Sequence, residues 1–331
     1  MPVVSKPSTL SAEDINRAKQ IGARLRARFA QTLVGQDNLR ESLITTLVAG
    51  GHILIESVPG LAKTTAAQTL ATSVSGSFKR VQCTPDLMPS DLVGTQVFDF
   101  ATQKFSTQIG PIHANFVLLD EINRSNAKTQ SAMLEAMAEG ATTIGGQRIA
   151  LPKPFMVIAT QNPIGSVGTQ MLPESQLDRF MVRLSMGYPD LQSEVEIIKG
   201  RQQSDPLEQV RPVVSAADIL AMQRAAEAIY VYDTIYTYIA QLVAAKRSHP
   251  LLALGASPRA SIALTRASKA LALLQGRDYV VPDDVKAVFF DVIEHRLLLS
   301  PKAKLSSVTL RSVLENILRQ VECPAGRGAK A

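Results

Sequence analysis

The sequence predicts an α/β protein: a parallel sheet with helices on both faces, followed by a smaller all-helical domain. Two observations carry this reading. Between about residues 52 and 185 short apolar runs alternate with helical stretches, and after Gly187, Tyr188 and Pro189 the chain changes to long helical periods. Uninterrupted apolar runs mark strands buried on both faces, which a parallel sheet with crossover helices requires.

The elements follow in order. Ser11 and Asp14 form a capping-box pattern, and Ile15, Ala18, Ile21, Leu25 and Phe29 keep helical spacing, so a first helix is expected to run to about Ala30. A second helix follows Gly35. The expected strands are HILIE (52–56), FVLLD (116–120), FMVIAT (155–160) and MVRLS (181–185). A Thr/Ala-rich helix follows the first and NAKTQSAMLEAMAEG the second. Two alternating stretches interrupt this rhythm, VFDFATQKFSTQI (97–109) and TTIGGQRIAL (142–151), the latter with Gly145 and Gly146 at its centre. Both read as β-hairpins that an open sheet does not need, either interaction devices or edge decorations. Helices expected at 216–231, 236–246, 257–275, 284–298 and 309–321 build the second domain, which divides the chain into 1–189 and 190–331.

Composition narrows the function. With 331 residues, 46% apolar and 19% charged, the chain is long enough for two domains and apolar enough for a large core. Thirty-five basic against 29 acidic residues leave a formal charge of +6 without a Lys/Arg stripe, which argues against nucleic-acid binding. The two cysteines, Cys83 and Cys323, exclude a disulfide framework and a thiolate metal site, and imply a reducing compartment. The four histidines show no zinc spacing. With no secretory signal and no run near the roughly 20 apolar residues of a membrane span, a soluble cytoplasmic protein is expected.

The strongest chemical signal is SVPGLAKTT (57–65), between the strand HILIE and a helix. A strand, a Gly-containing loop and Lys-Thr opening a helix form the P-loop arrangement, in which backbone N–H groups and the helix start hold phosphates, Lys63 neutralises them and Thr64 ligates Mg²⁺. A lysine in a first helical turn opposes the helix dipole unless an anion sits there. The strict pattern departs at Ser57 and Ala62, where glycine would stand.

Asp120 and Glu121 close the apolar run FVLLD. Two carboxylates at a buried strand end require an offsetting cation, which suits Asp120 to metal coordination through water and Glu121 to polarising an attacking water. Alternatively they cap the next helix, for which Ser125 is better placed. Asn162, after MVIATQ, is suited to hydrogen-bond that water or a γ-phosphate, or to serve as a turn residue before Pro163. The carboxyl ends of parallel strands are where ligands bind, and three strands deliver these residues to one edge. Arg179 in QLDRF either reaches a phosphate on a neighbouring subunit or pairs with Asp178. Arg259 in GASPRAS follows an expected N-cap Ser257 and Pro258, again placing a cation at a helix start.

These residues, with the surrounding segments LVGQDNLRESL, VQCTPDLMPSDLVGT, GPIHANFVLLDEINR, GTQMLPESQLDRFM and GRDYVVPDDVK, make the chain resemble the MoxR family of AAA+ ATPases across about residues 31–300. The resemblance implies a P-loop AAA+ domain with a helical lid and ATP between them. It implies that Val58, Pro59, Gly60, Leu61, Ala62, Lys63, Thr64 and Thr65 hold the phosphates, with Thr64 and Asp120 on Mg²⁺. It further implies Glu121 as catalytic acid, Asn162 as sensor 1, Arg259 as sensor 2 and Arg179 as arginine finger, with Arg124 of DEINR a rival for that role. Val34, Gly35 and Gln36 would border the adenine, and the two hairpins would be the two insertions of this clade. Serine replaces the family's usual glycine at position 57.

The expected function is thus a Mg²⁺-dependent ATPase, assembled as a ring, in all expectation a hexamer, that remodels or matures a protein client, metal-cofactor insertion included. The resemblance also implies a partner carrying a von Willebrand factor A domain. A nucleotide-gated switch with little hydrolysis is the alternative, motivated by Ser57. A DNA-acting relative finds no support in a helix-turn-helix signal or a basic stripe.

Overall fold

The computed structural model describes residues 10–57, 63–162, 172–188, 190–201, 207, 210–247, 249–255, 257–306 and 308–324. The chain opens with helices α1 (Ala12–Ala30) and α2 (Asp37–Val48). Ser11 Oγ accepts the Asp14 N–H at 3.1 Å, so the expected first helix starts at the expected cap. Strand β1 (Ile53–Ser57), helix α3 (Lys63–Ser73), strand β2 (Phe78–Gln82) and helix α4 (Pro89–Val93) follow. Next come strands β3 (Gly94–Asp99), β4 (Lys104–Ile109) and β5 (Phe116–Asp120), then helix α5 (Ala127–Glu139). Strands β6 (Ala141–Ile144), β7 (Gln147–Ala150) and β8 (Met156–Gln161), helix α6 (Glu174–Leu177) and strand β9 (Val182–Met186) complete this stretch.

Five strands form the main sheet in the order β2-β5-β8-β1-β9. The pairs β2 with β5, β5 with β8 and β8 with β1 are parallel. Ile53, Leu54, Ile55, the Phe116–Leu119 run and the Met156–Ala159 run are fully buried, each such aliphatic side chain contributing about 2 kcal/mol of hydrophobic stabilisation. Strand β2 was not expected. Its Lys79 and Arg80 are exposed and break the apolar run, because it lies at the sheet edge, where charges protect an unpaired ladder.

Both expected hairpins are present as two-stranded antiparallel pieces, β3 with β4 and β6 with β7. Gly145 and Gly146 take φ of 55° and 80°, the left-handed pair that a two-residue hairpin turn demands. Helix α5 is capped by Asn126, whose side chain accepts the Thr129 N–H, whereas Ser125, expected to cap it, instead donates to the Ile122 carbonyl at 2.7 Å.

The chain divides into two compact units. One comprises Arg24–Phe180 with Leu184–Leu220; in the other the N-terminal stretch up to Ala23 joins Met181–Arg183 and the chain from Ala221 onward. Past β9 come helices α7 (Leu191–Arg201), α8 (Ala216–Ala228), α9 (Asp233–Arg247), α10 (Pro258–Leu274), α11 (Pro282–Ile293), α12 (Pro301–Leu305) and α13 (Leu310–Gln320). A short antiparallel pair, β10 (Leu252–Leu254) with β11 (Leu298–Leu299), stands among these helices and was not anticipated from helical periodicity. Asp284, 2% exposed, opens α11 by accepting both the Val281 N–H and the Arg277 guanidinium. No helix among the described residues is long and apolar enough to cross a membrane.

Candidate active site

Lys63, Thr64 and Thr65 form the first residues of α3, the helix that follows β1 in the chain. The loop residues Val58, Pro59, Gly60, Leu61 and Ala62 lie outside the described residues. Lys63 is 8% exposed, and burial lowers its pKa while the carboxylates of Asp120 and Glu121 pull it back up. Its ammonium is thus buried at a helix start, with two acids answering its charge. Ahead of α2, Gly35 adopts φ 70°, and Gln36 is the N-cap position. That turn is tied to α3, because Thr69 Oγ1 donates to Thr32 Oγ1 at 3.0 Å. Val34, Gly35 and Gln36 thus sit on a segment anchored to α3.

Asp120 ends β5, and Glu121 turns out of the strand with φ 56° and ψ 52°. A non-glycine residue in this left-handed region stores strain of about 1 kcal/mol, so the surroundings must hold it. They do so through a closed set of bonds. The Glu121 N–H donates to Thr160 Oγ1 at 2.9 Å, and Thr160 Oγ1 donates to Asp120 Oδ1 at 2.7 Å. Arg80 donates to Asp120 Oδ2 at 2.6 Å. Glu121 Oε1 accepts from Asn162 Nδ2 at 2.7 Å, and Oε2 accepts from Arg124 at 2.8 Å and Gln82 at 3.2 Å. The Arg124 hydrogen bond is the largest influence holding the Glu121 carboxyl below the usual carboxylate range, with Asn162 adding to it against partial burial. The paired acids therefore do not depend on a bound metal for compensation, as their sequence alone suggests: Arg80 and Arg124 already supply cations from within the chain.

The structure thus gathers Lys63, Asp120, Glu121 and Asn162. Arg179, in the same unit, is engaged elsewhere. Arg179 donates to the Leu134 carbonyl of α5 at 2.8 Å, and exposed Arg259 stands in the first turn of α10, in the other unit, behind Ser257 and Pro258. Sequence reasoning missed Arg80, Gln82 and Thr160. The first two lie on the unrecognised edge strand, in register with β5 so that Gln82 faces Asp120. Thr160 had a legible signal: it stands near the end of β8, two residues before Asn162. Cys83 follows β2, its N–H bonded to the Asp120 carbonyl, and burial is the main cause pushing its thiol up to about 12.

A parallel sheet of this order, with a lysine-opened helix behind β1 and an acid pair behind β5, defines a P-loop AAA+ ATPase fold with a helical lid. The pattern of the ATPase family associated with various cellular activities (AAA) matches residues 52–182, and that of the AAA lid domain matches residues 244–317. The chain belongs to the MoxR family of these ATPases. It is 42% identical over 301 residues to chaperone MoxR1 of Mycobacterium tuberculosis, covering 88% of this chain and 79% of that one. It is also 42% identical over 299 residues to the uncharacterized protein YeaC of Bacillus subtilis, covering 90% and 93%, and 28% identical to protein MoxR of Methylorubrum extorquens, covering 90% and 95%. The crystal structure of a candidate ATPase from Cytophaga hutchinsonii superposes with a TM-score of 0.89 at 38% identity, over 95% of this chain and 98% of that one.

Proposed function

We propose that this protein binds ATP with Mg²⁺ and hydrolyses it in a ring assembly, hexameric by family resemblance, to remodel a protein client. In this reading residues 1–189 are the nucleotide-binding domain and 190–331 the lid. The single observation carrying the proposal is the convergence of Lys63, Asp120, Glu121 and Asn162 at the carboxyl edge of one parallel sheet.

The residues present fit magnesium nucleotide. A hydroxyl and a carboxylate are hard oxygen donors suited to Mg²⁺. Thr64 and Asp120 would hold it, and when bound it would offset phosphate charge. Lys63 neutralises the phosphates, and Glu121 polarises the attacking water. Asn162 orients Glu121 and keeps one buried acceptor, Oδ1, without a partner among the described residues and so open to that water. Arg179 is the proposed finger in trans and Arg259 the proposed second sensor.

Client remodelling is supported by the β3–β4 hairpin, where Phe98, Phe100 and Phe105 form an edge-to-face cluster with Phe100 86% exposed. The name of chaperone MoxR1 agrees with it. Maturation by metal-cofactor insertion and a partner with a von Willebrand factor A domain complete the proposal, in the reducing cytoplasm that two free cysteines suit.

The switch reading has its own observation: three donors already occupy the Glu121 carboxylate. Phosphate release per subunit, measured against protein concentration, separates the two, since an ATPase completed by its neighbour accelerates on assembly and a switch stays at background. Glu121→Gln should bind ATP without turnover, and Lys63→Ala should lose binding. Normal turnover in both variants would reject the site.

A further inference from the structure

Asp120, the carboxylate assigned to the metal, has a donor on each oxygen: Thr160 on Oδ1 and Arg80 on Oδ2 at 2.6 Å. Arg80 does not lie beside Asp120 by register. It pairs with Leu118 on β5, and its side chain reaches along the strand direction to the acid two residues on. Its side chain is 49% exposed and that of Asp120 13% exposed, so a solvent-accessible cation has its head seated on an inner carboxylate. An edge-strand arginine needs no such contact to protect the edge, which charge alone achieves.

We propose that Arg80 is a built-in stand-in for magnesium, a positioning residue that compensates Asp120 when nucleotide binds without the metal and opposes the ion when it arrives. The inference rests on the nucleotide-site reading above. With Arg80 present, Asp120 does not repel incoming phosphates in the absence of Mg²⁺, and the ion's gain on binding is reduced by like charge. Without it, Asp120 keeps the Thr160 hydroxyl and the Lys63 charge but loses the guanidinium on Oδ2, so it is a less compensated anion beside the phosphates, and the same ion gains more. Arg80 thus lowers the coupling between metal and nucleotide, a reciprocal quantity that equilibrium binding measures directly.

The test is calorimetric titration of the full chain with ADP, in excess EDTA and at saturating Mg²⁺. The ratio of the two affinities should rise about tenfold in Arg80→Gln, mainly through loss of binding in EDTA, and stay near the wild-type value in Arg80→Lys, which keeps the charge. The rise should shrink as salt is added, because Arg80 is half exposed. An unchanged or smaller ratio overturns the proposal, as does an equal loss with and without Mg²⁺, which would make Arg80 a phosphate contact. Should Lys63→Ala bind ADP as well as wild type, the nucleotide-site reading fails; should Lys63→Ala lose binding while the Arg80→Gln ratio is unmoved, only the stand-in fails.

Discussion

Asn162 donates its side-chain amide to Oε1 of Glu121 at 2.7 Å, while its own Oδ1 is buried without a hydrogen-bond partner among the described residues. One residue thereby aims the acid and retains an acceptor for a proton-bearing ligand. An orphaned buried acceptor costs about 1–3 kcal/mol, a cost that a water donating to it would remove.

Asn162→Ala should therefore lower ATP turnover by about 10- to 100-fold, the range of a lost positioning and hydrogen-bonding partner, with little change in nucleotide affinity. Steady-state phosphate release alongside equilibrium nucleotide binding checks this. A parallel loss of binding would place Asn162 on the nucleotide and not on the acid.

Arg124 pairs with Glu121 at 2.8 Å with its side chain 43% exposed. Releasing that restraint in Arg124→Ala should raise phosphate release by dilute protein about two- to fivefold, the equivalent of a partly exposed ion pair. A loss of turnover confined to the assembled state would instead make Arg124 the residue that acts between subunits.

The Arg179 guanidinium ties Leu134 on α5 to the chain ahead of β9. Arg179→Ala should cost stability of about 1 kcal/mol through that hydrogen bond, and it should abolish assembly-dependent turnover if Arg179 also serves a neighbour. Thermal unfolding reads the first effect and concentration-dependent phosphate release the second. A variant destabilised but fully active would leave Arg179 a structural tie only.

His113 Nε2 lies 2.8 Å from Thr142 Oγ1, joining the segment after β4 to the second hairpin, and burial lowers its pKa from the ordinary 6.5. Above that value the ring is neutral both folded and unfolded. As pH falls through it, the unfolded chain binds a proton that the folded chain resists, so stability declines toward the lower folded value. Melting temperatures between pH 7 and pH 5 should fall less in His113→Gln than in wild type; equal slopes would remove His113 as a source.

Thiol labelling should find one reactive cysteine in the native protein. Cys323 is exposed, whereas Cys83 is fully buried with its thiol pushed up to about 12, and the thiolate is the reacting form. Native labelling of Cys83 as fast as Cys323 would contradict this burial.

The buried strands and both hairpins were legible because their signals are local. Ile53–Ile55, Phe116–Leu119 and Met156–Ala159 are continuous apolar runs, and Gly145–Gly146 is a turn that few other pairs can make. Strand β2 escaped because an edge strand protects itself with the lysine and arginine that disguise it. The cap of α5 was misplaced by one residue, from Asn126 to Ser125, because both side chains can accept from a helix N-terminus and only the local backbone selects between them.

The sequence by itself determined the fold class and the positions of Lys63, Asp120, Glu121 and Asn162, since helix starts and strand ends are set by periodicity within a few residues. Beyond the local i,i+3 pairing of Glu121 with Arg124, only the tertiary structure decided which distant side chains answer the two acids. Arg80 meets Asp120 across 40 residues, and Asn162 meets Glu121 across 41. Such partners are chosen by strand order and register, which sum many weak contacts over the whole sheet, so no single segment of sequence encodes them.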